Sequence, residues 1–289
     1  MDTPQKKGIM DGKMSSNSVA DGMHCISTTF QIMSDLHLEF GSGYETFSIP
    51  PCAPYLCLLG DIGRAVDDKV FVFLEQQLRA FKVVFFLLGN HEAYGSSYPL
   101  SKERFVAFRD NCERKRTMDT SFGEFVLLDQ TRYDVTEQVT ILGCTLYSNV
   151  LPEQHEDVSF GLNDFYSIDN WSVDDHNAAH RSDVEWLRRE LARLGENEPF
   201  RRVIVLTHHS PTIVPETQDP RHRASRIASA FGTDLIPDQL DGSQISIWAY
   251  GHTHYNSDIT SRGVRLFTNQ RGYITALCLN FDVRNVVSI

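Results

Sequence analysis

Five short groups of residues in this chain carry side chains able to hold a divalent cation. They are Asp35-Leu36-His37, Gly60-Asp61, Gly89-Asn90-His91-Glu92, Thr207-His208-His209 and Gly251-His252-Thr253-His254. Each follows an apolar run that reads as a β-strand. Every candidate ligand therefore falls at the carboxyl end of a predicted strand, where open α/β sheets place their sites. Packing alone gives no reason for five such coincidences. Imidazole, carboxylate and amide donors without thiolate suit Mn, Fe, Zn, Co or Ni better than copper(I) or calcium. The glycines before Asp61, Asn90 and His252 permit tight turns that aim these groups into one cleft.

The elements that must position them are readable from the same pattern. Apolar runs over residues 30–33, 55–59, 83–88, 125–128, 139–142, 203–206 and 245–250 read as strands, and 265–268 and 274–279 add two more. The runs from Val83 and from Val203 are apolar without interruption, which marks central strands buried on both faces. Helical patterns lie between them. Val70, Phe71, Leu74 and Leu78 share a face over 70–80, and a second helix covers 101–116 with Ser101 as N-cap. A third covers 174–194, started by Asp174 or Asp175, striped by Val184, Leu187, Leu191 and Leu194, and stopped by Gly195. Strands alternating with helices predict an α/β layered domain. The longest irregular segment, 151–170, carries His155, Asp164, Phe165 and Tyr166, with Trp171 just beyond. Loops of that length in a compact domain are commonly functional.

Composition sets limits on partners. The 289 residues carry a net charge of −11, which disfavours nucleic acid and anionic membrane surfaces. A phosphorylated substrate stays compatible, because bound cations reverse the local field inside a cleft. No run approaches the roughly 20 apolar residues of a membrane span. Residues 1–25 hold Lys6, Lys7 and many small polar groups but no apolar stretch. They read as a flexible extension rather than a secretory signal, ahead of a catalytic domain over 26–289. Six cysteines form no CxxC pair, and reduced thiols in the cytoplasm are the expectation. The oligomeric state is left open.

The ordered set D-x-H, G-D, G-N-H-E, H and G-H-x-H, spread over residues 30 to 273, resembles the calcineurin-like metallophosphoesterase superfamily. The resemblance implies a four-layer α/β/β/α sandwich of two mixed sheets flanked by helices, with a dinuclear metal centre. It implies that Asp35, His37 and His254 hold one metal, that Asn90, His208 and His252 hold the other, and that Asp61 bridges them. It further implies that His91 is the general acid or transition-state donor. Two cations about 4 Å apart would clamp the oxygens of a phosphoester and ionise the attacking water, while His91 would serve the leaving oxygen. One departure stands out. Relatives such as the protein serine/threonine phosphatases continue G-D-x-x-D-R, whereas this chain reads Gly60-Asp61-Ile62-Gly63-Arg64 and has Leu88 where they carry arginine. A small-molecule phosphomonoester or phosphodiester is thereby favoured over a phosphoprotein.

Other residues carry more than one reading. His209 is expected to be a structural neighbour of His208. His176 and His180 have i, i+4 spacing but no further ligand, so exposed or capping roles are expected. Arg271 or Asn269 could reach substrate or sit in a plain surface turn. Phe165, Tyr166 and Trp171 could line a substrate pocket or pin their loop to the body. Hydrolysis or elimination on a non-phosphate substrate, and a non-catalytic binding module, are the competing functions.

Overall fold

The computed structural model of the protein describes residues 1–2, 28–236, 240 and 244–289. All but the first two residues of the expected extension, 1–25, lie outside the described residues. In chain order the elements begin with β1 (Thr29–Met33), α1 (Gly43–Thr46), β2 (Tyr55–Leu59), α2 (Asp68–Leu78), β3 (Val83–Leu87) and α3 (Tyr98–Met118). There follow β4 (Glu124–Leu127), β5 (Thr131–Asp134), β6 (Val139–Gly143), α4 (His155–Gly161), α5 (Asp164–Ser167) and α6 (Val173–Asn197). The chain ends with β7 (Arg202–Leu206), β8 (Ile245–Tyr250), β9 (Asp258–Ser261), β10 (Val264–Thr268), β11 (Gly272–Tyr273), β12 (Ala276–Leu277) and β13 (Val286–Ser288).

Two mixed sheets result. One runs β13-β1-β2-β3-β4 and the other β5-β6-β7-β8-β10-β9. The inner strands are parallel, and β13, β5 and β9 add antiparallel edges. Because side chains alternate along a strand, each uninterrupted apolar run feeds two cores. Phe30, Cys57, Leu59, Phe85 and Leu87 meet Ile141, Ile204, Leu206, Ile247 and Phe267 between the sheets. The alternate residues Leu56, Leu58, Val84 and Phe86 pack outward on Val70, Phe73 and Leu74 of α2 and Phe105 of α3. On the far side Val203, Val205 and Trp248 pack on Val184, Leu187, Leu191 and Leu194 of α6. Helix, sheet, sheet and helix form the expected four layers. Among the described residues no helix is long and apolar enough to cross a membrane.

Several boundaries differ from expectation for physical reasons. The cap of α3 is Ser97, which accepts from the Leu100 amide, and Pro99 lies in the first turn; Ser101 is buried one turn later. The cap of α6 is Ser172, with Asp175 completing a capping box three residues on. Gly195 does not stop this helix, which runs on to Asn197. The apolar stretch 274–279 is not a core strand. The amides of Arg271 and Gly272 are taken by the carbonyls of Ser34 and Asp35, so the chain turns aside into the small hairpin of β11 and β12, leaving Ile274, Leu277 and Leu279 exposed. Segment 151–170 is largely helical, forming α4 and α5 after a single turn at Pro152–Gln154. His176 and His180 are buried, not exposed. His176 Nε2 accepts from the Ser148 amide at 3.1 Å, and His180 Nδ1 faces the Leu146 carbonyl at 3.0 Å.

Phe85 is fully buried between the sheets and meets Tyr133 edge-on at 5.0 Å. Phe85→Ala should lower stability by about 3–5 kcal/mol in urea unfolding. A loss below about 1 kcal/mol would contradict a shared inter-sheet core at this point.

Candidate metal centre

Each ligand-bearing group begins where a parallel strand ends, at Met33, Leu59, Leu87, Leu206 or Tyr250. There the backbone turns sharply. Asp35, His37, Asp61, His252 and His254 have φ of 53°, 46°, 54°, 68° and 49°, a region that non-glycine residues rarely enter. Conformations of this kind persist only where the surroundings enforce them, and they gather at functional sites. Close approach of the loops requires glycine beside them. A Cβ on Gly60 would lie 2.6 Å from the Gly89 nitrogen, and one on Gly251 would lie 2.6 Å from Asp35 Oδ2.

A buried carboxylate ties two of these loops together. Glu92 accepts from the amides of Asp61 (2.9 Å), Ile62 (2.8 Å), Gly63 (3.4 Å) and Gly89 (2.7 Å). Burial raises its carboxyl to about 7 even against these hydrogen bonds. Asp61 Oδ1 in turn accepts from the His91 amide at 2.9 Å. On the neighbouring loop, Asp35 accepts from the His252 amide at 3.1 Å and from Ser34 Oγ at 2.6 Å.

Two clusters able to hold a metal ion stand side by side, Asp35 with His37 and His254, and Asp61 with His208 and His252. In the first, His37 Nε2 and His254 Nε2 converge to 3.0 Å, and His254 Nε2 lies 3.3 Å from Asp35 Oδ1. In the second, His208 Nε2 lies 3.0 Å from Asn90 Oδ1 and 3.5 Å from Asp61 Oδ1. The other oxygen of Asp61 lies 3.9 Å from His37 Nε2, so this one carboxylate faces both clusters. The Leu59 carbonyl, 2.9 Å from His208 Nδ1, can only accept, which puts the proton on Nδ1 and the lone pair on Nε2. Asn90 is oriented likewise, because its amide nitrogen donates to Asp164 Oδ1 at 2.8 Å and leaves Oδ1 free for the centre.

The electrostatics match a cation-binding set. Burial pushes His208 down to about 4 and lowers His37 and His252, so their imidazoles are neutral donors. Burial would raise the Asp35 carboxyl, yet His254, His208 and His37 together hold it well below the carboxylate range. For Asp61, burial and then the charges of Glu92 and Asp35 push the carboxyl well above its ordinary value. His252 Nε2 is buried with no hydrogen-bond partner. A buried nitrogen left in that state, beside an acid crowded by other acids, fits a site built around positive charge.

His91 stands at the edge of this centre. Its Nδ1 donates to Glu39 Oε1 at 2.8 Å, and its Nε2 lies 3.2 Å from Tyr273 Oη and 3.9 Å from Asp61 Oδ2. Tyr94 stacks on the ring at 4.1 Å. Burial opposes ionisation of Glu39, but hydrogen bonds from His37 and His91 hold its carboxyl down at about 2. Sequence reasoning passed over Glu39, although it stands two residues after His37. His37, Glu39 and His91 form a third group with metal-ligating atoms in mutual reach. Arg64, at the position of the missing second acid, is paired with Asp67 at 3.1 Å.

A cavity of about 390 Å³ opens over the centre. Asp61, Asn90, His252 and His254 form its floor, His91, Tyr94 and Tyr273 one side, and segments 161–164 and 210–232 the rest. Asp164 was visible in the sequence as part of segment 151–170, but Ile227 and Phe231 carried no signal. The structure does not bring the expected substrate contacts to this cavity. Arg271 donates to the Leu36 carbonyl at 2.7 Å and lies over the Phe47 ring. Phe165 packs on the small cluster of Val158, Leu162 and Val173. Tyr166 is 67% exposed. Trp171 pins the segment to Tyr98 at 4.4 Å. Asn269 is buried and donates to the Ile32 carbonyl at 2.8 Å. His209 packs against the His252 ring at 4.1 Å, outside both clusters.

The calcineurin-like phosphoesterase pattern matches residues 28–256, and the chain belongs to that family. It is therefore a hydrolase of the metallophosphoesterase class. It is 28% identical over 264 residues to an uncharacterized protein of Acanthamoeba polyphaga mimivirus, a match covering 83% of this chain and 90% of that protein. Its fold is similar to that of a phosphopantetheinyl hydrolase from Mycobacterium tuberculosis, with TM-score 0.62 and 20% identity over 86% of this chain and 90% of the other.

Glu92→Ala would leave four backbone amides of the two loops without their acceptor. At roughly 1–3 kcal/mol for each unsatisfied group, the variant should lose at least about 3 kcal/mol in chemical denaturation. A change under about 1 kcal/mol would mean that the loops hold their shape without the carboxylate.

Proposed function

We propose that the chain uses two divalent metal ions to hydrolyse a phosphomonoester or phosphodiester of a small molecule. The observation that carries this reading is the placement of Asp61 between the two clusters, with one oxygen toward each. Asp35, His37 and His254 would hold one ion and Asn90, His208 and His252 the other, with Asp61 common to both. Mn, Fe, Zn, Co and Ni all suit these donors. When bound, such a pair of ions clamps phosphoryl oxygens and lowers the pKa of the attacking water. The protein's own residues do the remaining work. Glu39 and Tyr94 fix the His91 ring, and Nε2 of His91 is turned to the cavity to give a proton, or a hydrogen bond, to the departing oxygen.

Small esters are the favoured substrates because the centre lies in a walled cavity rather than on an open groove. The Mycobacterium tuberculosis neighbour contributes the fold and not the substrate, so phosphopantetheinyl esters belong in a test panel on equal terms with others. The catalytic domain on this reading spans 26–289, since β13 closes on β1. A reducing, cytosolic setting goes with it, as Cys57, Cys112 and Cys144 pack as small buried hydrophobes.

Elemental analysis of purified protein should find about two transition-metal ions per chain. Asp61→Ala should lose more metal than any other single ligand variant, and retention of both ions by that variant would sink the bridging role. His91→Ala should keep its metals while turnover falls by about a hundredfold or more. The fall should be smaller for p-nitrophenyl phosphate, whose leaving group needs little protonation. An equal fall for good and poor leaving groups would assign His91 to positioning instead of proton transfer.

A further inference from the structure

The cavity wall opposite His91 has no part in binding metal, and its chemistry is unlike that of the floor. Leu162, Ile227, Ala228 and Phe231 face the space. Phe231 stacks on the His252 ring at 4.9 Å, so the apolar wall begins directly at the second ligand cluster. Behind it lies a separate small core of Val150, Val158, Val173 and Ala230, which holds Leu162, Ile227 and Phe231 from the back. A Cβ on Gly161 would lie 3.0 Å from Ile227 Cγ2, so α4 and segment 210–232 are in contact along this wall.

Charge on the same wall is as informative as its apolar surface. Among the described residues, no lysine or arginine lines the cavity; away from the floor and the side of His91 its charged or titratable groups are Asp164, His222 and Asp219, the last paired with Arg221. Segment 219–226 does contain Arg221, Arg223 and Arg226, but each is already held by a partner. Arg221 is bound by Asp219 at 2.5 Å and 81% exposed, Arg226 is bound by Asp157 at 2.8 Å, and Arg223 donates to the Pro215 carbonyl at 2.5 Å. A second phosphate on a substrate would thus find no lysine or arginine lining the cavity once the first had occupied the metal centre. Beside hydrocarbon, His222 and uncharged polar groups such as Gln218 and Ser225, it would give up hydration without a strong counter-charge.

We propose, on the footing of the two-metal reading above, that the wall of Leu162, Ile227 and Phe231 is a subsite for an uncharged, partly apolar organic arm. The substrates are then esters bearing a single phosphate and such an arm, and compounds with a second phosphate at the far end are rejected. At about 390 Å³ the cavity is at the small end of the roughly 300–1,000 Å³ usual for ligand pockets, so one arm fills it.

Non-hydrolysable phosphonates test this on the Mn-loaded full chain by calorimetry. Hexylphosphonate should bind at least about tenfold tighter than methylphosphonate, since several methylenes leave water. Hexane-1,6-bisphosphonate should lose that gain. In Ile227→Ala the hexyl-to-methyl affinity ratio should fall several-fold, and in Ile227→Lys the bisphosphonate should overtake hexylphosphonate. Methylphosphonate binding with no gain from the hexyl chain would overturn the subsite and leave the metal reading intact. A wild-type preference for the bisphosphonate would also overturn it. Binding of neither phosphonate would bring down the metal reading, and the subsite with it.

Discussion

Four backbone amides from two separate loops converge on one buried carboxylate, and the rest of the site depends on that convergence. Strands β2 and β3 are parallel neighbours, so the loops leaving them start about 4.8 Å apart. At that distance their amides have no room for water and no strand partner. Glu92 satisfies Asp61, Ile62, Gly63 and Gly89 together, which holds Asp61 in its left-handed turn. The arrangement places one buried acidic side chain beneath another. Asp61 is pushed up by burial and then by Glu92, and positive charge on the open side is the simplest way to relieve both.

Backbone strain has the same logic. Five of the seven expected ligands sit at positive φ, at an energy of order 1 kcal/mol or more for each. That strain is borne by three apolar cores stacked through four layers, with fully buried side chains such as Phe85, Phe86 and Trp248. Each such side chain contributes about 1.5–3 kcal/mol when taken out of water. A domain with one thin core could not hold so many unfavourable turns at once.

Seen from the sequence, the floor of the site was legible and its roof was not. The candidate ligands that the fold gathers into two clusters could be picked out because they follow apolar strands, where position relative to the strand end carries the information. Asp35, Asp61 and His208 needed nothing further. Glu39 was within reach, two residues past His37, but a lone glutamate in a turn carries no spacing signal of its own. The edge strands β5, β9 and β13 escaped because they are short and partly exposed, so no apolar period marks them. Helices α4 and α5 span seven and four residues, too few for a 3.6-residue period to be read. Ile227 and Phe231 lie in a segment with no regular element longer than one turn, and only tertiary packing turns them toward the cavity.

Floor and roof are nonetheless joined at one residue. Asp164 belongs to α5 and lines the cavity, and it also accepts from the Asn90 amide at 2.8 Å and from Tyr94 Oη at 2.6 Å. Through Asn90 it sets which amide atom faces the second ligand cluster, and through Tyr94 it supports the ring stacked on His91. A change of roof that moved Asp164 would therefore disturb Asn90 and the surroundings of His91 together. Ile227 and Phe231 make no such hydrogen bond to the floor; Phe231 touches it only by stacking on His252. The roof is thus divided into a part tied to the chemistry and a part free to vary in shape. On the proposed reading, substrate choice can change along Leu162, Ile227 and Phe231 while Asp164 keeps Asn90 and Tyr94 in place.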